Sequence, residues 1–184
     1  MEAQPPESFA DRITHKRLRE LYDFWQNSSE DGKPPPQKDI DLLKVPRLAP
    51  NIFIMDVLGD EKFRYRFMGT DIDRHLGASA TGLRMDEFRT GAVLKTLTDF
   101  FGKVAETGRC GYLRTKMSTE KNDYLMYERL VMPISDDGLS NNKLLGGWYY
   151  NQVDDNSPRL KPIDTPEYKQ VEMMSVIYED IRVA

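Results

Sequence analysis

Between Phe63 and Gly82 the chain reads FRYRFMGTDIDRHLGASATG, and this stretch constrains the fold more than any other. Phe63, Tyr65 and Phe67 alternate with Arg64, Arg66 and Met68, the two-residue period of a strand with two unlike faces. Gly69 breaks that period at a corner where a positive φ, open to glycine, is expected. Thr70 or Asp71 offers a side-chain oxygen to cap a short helix over 71–76. Gly77 ends that helix, and Thr81-Gly82 starts another turn.

Strand signals lie on either side. Asn51 to Val57 puts Ile52 and Ile54 on one face and Phe53 and Met55 on the other, so this strand is expected to be covered on both sides. Leu58-Gly59-Asp60-Glu61 joins it to the next strand as a hairpin. Ala92 to Thr107 carries Val93, Leu94, Leu97, Phe100, Phe101 and Val104 in a broad helical stripe that stops at Gly108. Three more strands are expected over 109–118, 123–132 and 144–153. Hairpins before and after a helical block describe an α+β fold, an antiparallel sheet with helices on one face.

The two ends differ in texture. Residues 1–12 read as a disordered arm. A helix over 13–27, with Thr14 as a cap, gathers Leu18, Leu21, Tyr22 and Trp25 into one apolar stripe. Pro34 to Pro36 form a stiff connector to the first strand. After Val153 a proline-punctuated linker leads to a predicted amphipathic helix over 167–183, with Val171, Met174, Ile177, Tyr178 and Ile181 on one face. The expected organisation is an arm (1–12), a domain that includes the leading helix (13–155), and a linker with a C-terminal helix (156–184).

Composition excludes several functions. A net charge of −4 supplies no basic surface for nucleic acid. The longest apolar run, Asn51 to Leu58, is broken by Asp56 and is too short to span a bilayer. The acidic, proline-bearing N-terminus is unlike a signal peptide, and the lone Cys110 permits no intrachain disulfide. Both point to a cytoplasmic protein. There is no Walker loop, dinucleotide fingerprint or nucleophile elbow. Asp71, Asp73 and His75 read as cap and helix surface rather than a metal site, because Asp73 points away from the other two. Asp136-Asp137-Gly138 reads as a turn.

Three stretches together resemble the PAS domain family, and more narrowly a compact bacterial PAS subfamily of alphaproteobacterial proteins. They are RYRFMGTDIDRHLGASATG, YERLVMPISDDG, and the leading helix RLRELYDFW with its exit DIDLLKVPRLAPNIFIMDV. The resemblance implies a five-stranded antiparallel sheet in the order 2-1-5-4-3, with the two most apolar strands at its centre. It also implies a sensory or regulatory role, without an enzymatic one. In such proteins the leading helix covers the sheet or pairs with its counterpart in a dimer, so Leu18, Leu21, Tyr22 and Trp25 are candidates for a homodimer or partner contact. The haem-binding members place a histidine on the long helix, and residues 90–107 have none. The flavin-binding members place a reactive cysteine elsewhere than Cys110. No haem, flavin or metal is therefore expected.

What remains is a cavity between sheet and helices, and a small organic ligand. Arg66, Met126, Glu128 and Trp148 are the candidate lining residues, because a charge within an apolar strand must find a partner when buried. Two other readings stay open on the sequence. One is an enzyme that uses Glu128 or Asp73 as acid or base. The other is a structural adaptor that docks through its terminal helices.

Overall fold

A strand that is apolar on both faces belongs in the middle of a sheet between two layers, and that is where the first strand lies. The computed structural model describes residues 7–29, 33–118, 124–137, 140–152 and 170–179. The strands are β1 (Ile52–Gly59), β2 (Lys62–Met68), β3 (Gly111–Ser118), β4 (Tyr124–Ile134), β5 (Lys143–Gln152) and β6 (Gln170–Tyr178). The helices are α1 (Lys16–Asn27), α2 (Thr70–Leu76) and α3 (Gly91–Thr107). All neighbouring strands pair antiparallel, in the order β2-β1-β5-β4-β3-β6. The expected order 2-1-5-4-3 is present, with one strand added at its β3 end.

Both faces are covered. The inner face carries Phe53, Met55, Tyr65, Tyr127, Val131, Leu144 and Trp148 under α2 and α3, whose Ile72, Leu76, Leu97, Phe100 and Phe101 complete that core. The outer face carries Ile52, Ile54, Tyr112, Leu130, Met132 and Leu145 under α1. Helices on one face were expected, with the leading helix on the sheet or in a dimer. Here Leu18, Leu21, Tyr22 and Trp25 are all buried against the chain's own sheet. Trp25 Nε1 donates to the Pro133 carbonyl at 2.8 Å, and Tyr22 OH donates to Glu179 Oε1 at 2.8 Å. Burial of each large apolar side chain contributes roughly 1.5–3 kcal/mol, so docking within one chain already uses this stripe.

Two expectations about the ends are corrected. The arm begins to pack at Phe9, which is buried with its ring 5.3 Å from that of Tyr22; residues 1–6 lie outside the described residues. The predicted C-terminal helix is instead strand β6, paired with β3 from Gly111↔Tyr178 to Ser118↔Gln170 and bulged at Met174. Val171, Met174 and Ile177 suit a helical stripe, but the segment pairs as a strand. The backbone groups along β3 offer a ladder that an isolated helix cannot match. Tyr178 then packs on the inner core beside Phe100, and Ile177 on the outer one.

Glycines fix how closely the layers approach. Gly69 does not have the positive φ expected of it; its φ is −68°. Its reason is steric, because a Cβ there would fall among the backbone carbonyls of Ala49 and Pro50. In β5, a Cβ on Gly146 would enter the Phe53 ring, and one on Gly147 would lie 2.6 Å from Leu18 Cδ2 and 2.7 Å from Leu21 Cδ2. The pair thus admits the inner layer on one side and α1 on the other. Backbone cannot yield, a ring yields little, and leucine tips yield most. Urea denaturation of Gly69→Ala, Gly146→Ala and Gly147→Ala should therefore show losses that decrease in that order. The first two should cost about 1–3 kcal/mol. A Gly69→Ala protein as stable as wild type would sink the steric account.

Candidate functional site

The four residues expected to line one cavity do not meet. Arg66 holds its charge at the surface of the outer side, with its side chain 57% exposed and paired to Asp56. Asp56 also accepts from the buried Lys143 Nζ at 2.9 Å. Met126 and Glu128 lie on β4 with Leu130 and Met132, and that face turns toward α1. Glu128 is closed off there. It accepts hydrogen bonds from Tyr112 OH and from Thr14 Oγ1, the latter at 3.4 Å. Burial and this bond push the Tyr112 hydroxyl up to about 12. Thr14 is thus committed to Glu128 and Tyr112 rather than capping α1, whose first residue has no side-chain cap. Trp148 alone of the four faces the inner core.

The inner face instead gathers residues that the sequence reading passed over. β4 alternation turns Tyr127, Arg129 and Val131 under the helices, opposite to Glu128. Arg129 is 3% exposed. Its guanidinium carbon lies 4.8 Å from the Trp148 ring centroid and 4.9 Å from that of Tyr127, and Nη1 donates to Thr115 Oγ1 at 3.3 Å. Arg89 arrives from the turn before α3 and is 7% exposed. Its guanidinium carbon is 5.1 Å from the Phe88 ring and 5.7 Å from that of Trp148. Distances of this order are those of cation–π contacts.

α2 supplies the remaining wall. Its short helix ends at Gly77 in the left-handed region, φ 73°, which turns the chain away after His75 and Leu76 have reached the core. The His75 ring stacks on Tyr150 at 3.8 Å and meets Trp148 edge-on at 5.6 Å. Its Nε2 is 3.0 Å from Tyr127 OH. Asp71 pairs with Arg74 on the surface, so it does not share a site with His75. Among the described residues no three potential metal ligands converge. Asp73 sits on α2 and Glu128 across the sheet beneath α1, so the two carboxylates named for an enzymatic reading do not form a pair.

Burial lowers His75 to about 4, and the positive charges of Arg129 and Arg89 add to the effect. Burial likewise raises the Tyr65 hydroxyl, against the pull of the same two arginines. The cluster therefore brings together two buried cations, a half-buried neutral imidazole and several rings.

The family described as PAS domain matches residues 13–149. The chain belongs to the PAS domain family. Twenty solved chains match it. One is a light-oxygen-voltage domain studied with a flavin analogue, 15% identical, covering 64% of this chain and 90% of that chain at a TM-score of 0.47. Another is the Rhodobacter sphaeroides LOV protein, 11% identical, covering 64% and 72% at a TM-score of 0.44. No curated protein matches. The cluster occupies the inner face of this PAS sheet, between the strands and the helices.

His75 makes the PAS domain sensitive to acid. An unfolded chain takes up a proton near the ordinary value of 6.5, whereas the folded chain refuses it until about pH 4. The stability His75 contributes is full above pH 6.5 and is lost as pH falls from there toward 4. The loss is on the order of 1–3 kcal/mol. His15, also lowered by burial, acts in the same direction. Melting temperatures measured across this range should fall less steeply for His75→Gln than for wild type; equal slopes would remove His75 as the cause.

Proposed function

We propose that this PAS domain is a non-enzymatic sensory and regulatory module of the cytoplasm, which takes a small organic ligand at the inner-face cluster. The observation that carries the reading is the group of Arg89, Arg129 and Trp148, buried together with the half-buried His75 beside them between the sheet and α2 and α3. Burying a guanidinium costs free energy unless it is paired and hydrogen-bonded, and Arg89 has no ion pair among the described residues. No described helix is long and apolar enough to cross a membrane.

The output of such a module is association, with a second copy or with a signalling partner. The route from the ligand is short. Trp148 faces the cluster, and the next residue, Tyr149, stacks on His15 at 4.2 Å on the other side of the sheet, just before α1. A change at Trp148 therefore reaches the base of α1 through one peptide unit.

Native mass spectrometry of gently purified full-length protein tests both parts. The expected result is a dimer or a ligand-dependent change of assembly, together with a retained small-molecule mass that is lost on denaturation. A bare monomer at all concentrations, unaltered in melting by a broad set of small organic molecules, overturns the sensory reading.

A further inference from the structure

We infer that the ligand of this PAS domain is a small organic carboxylate, held by the Arg89 guanidinium and the Trp148 indole N–H, with Arg129 adding a second positive charge. This rests on the reading that the inner-face cluster is the ligand site, and names the chemistry that site would accept.

The first argument is the sign of what is unmet. Arg89 Nε and Trp148 Nε1 are both buried and lack a hydrogen-bond partner. Both groups can only donate, so a ligand that satisfies them must bring acceptors. The second argument is charge. Arg89 forms no ion pair among the described residues; its described contacts are the faces of Phe88 and Trp148. Ring faces return about 0.5–2 kcal/mol to a cation, less than the several kcal/mol lost when an ion leaves water. An anion offsets that deficit and supplies the acceptors at once.

The third argument is geometry. Arg89 and Arg129 both lie within 6 Å of the Trp148 ring centroid, at 5.7 and 4.8 Å, so both positive charges act on the neighbourhood of that ring. A guanidinium fork matches the two oxygens of a carboxylate. The neighbouring rings are Phe88 and Tyr65 beside Arg89 and Tyr127 beside Trp148, and rings suit a carbon body better than an inorganic ion. His75 and Tyr127 bond to each other, which leaves Arg89 and Trp148 as the donors free to turn to the ligand.

The test uses the full chain, with acetate, succinate and benzoate each set against its neutral amide at constant ionic strength. Melting temperature and tryptophan fluorescence are followed. At least one carboxylate should raise the melting temperature saturably and bind tenfold or more tightly than its amide. Arg89→Met should melt no lower than wild type without ligand, because it removes an uncompensated buried charge, yet bind that carboxylate at least tenfold more weakly. A purely packing role for Arg89 predicts the reverse: lower melting and unchanged binding. Amides that bind as well as their carboxylates overturn the anion while leaving the inner face a ligand site. No saturable response to any carboxylate also overturns it, and only the absence of any retained or stabilising small molecule removes the sensory reading as well.

Discussion

Two layers can close on the centre of this sheet only if the middle strand is thin, and Gly146-Gly147 makes β5 thin on both sides in turn. Phe53 lies over the first glycine, and Leu18 and Leu21 over the second. The consequence spreads through the molecule. α1 becomes a structural layer rather than an appendage, and its apolar stripe is consumed at home. The inner cluster and the outer helix are then separated by a single strand thickness. Whatever alters the packing of Trp148 acts on a strand whose opposite face carries α1.

Both faces of the sheet enclose polar groups. On the outer face the charge of Glu128 is met by the hydroxyls of Tyr112 and Thr14, and Asp56 by Lys143 and Arg66. These are satisfied arrangements, in which hydrogen bonds offset the loss of water. On the inner face Arg89 rests on rings and Trp148 keeps an unused donor. Buried polar atoms without a partner occur on both faces, His15 Nδ1 beside Tyr149 on the outer one and Arg89 Nε and Trp148 Nε1 on the inner one.

Much of the fold was legible. β1 reads as central because Ile52 to Met55 are apolar on both faces, and the hairpin at Gly59 to Glu61 and the helix stop at Gly108 follow from local backbone chemistry. The candidate site was less so. Alternation places Glu128 and Arg129 on opposite faces, but it does not say which face lies beneath α2 and α3, and the sheet turned Arg129 inward. Arg89 lies in a turn, where no period marks a residue as buried. A signal for the site did exist in Tyr127-Glu128-Arg129, two charges in one apolar strand, of which at least one had to be enclosed.

The sequence by itself determined the elements whose cause is local, the α3 stripe and the glycine stops at Gly77 and Gly108. The order of the first five strands came from the resemblance to PAS domains, and a register shift in β2 turned Phe67 to the outer face, away from Phe63 and Tyr65. Tertiary structure decided what depends on distant partners. The segment 170–178 became a strand because the edge of β3 was there to pair with it, although its apolar spacing also fits a helix. Gly69 is glycine because of carbonyls supplied by Ala49 and Pro50. His75, on a short helix that reads as surface, became a neutral core group because α2 folded it onto Tyr150 and Trp148 beside two arginines. In each case local propensity leaves more than one conformation or environment within a few kcal/mol, and contacts between residues far apart in the chain select among them.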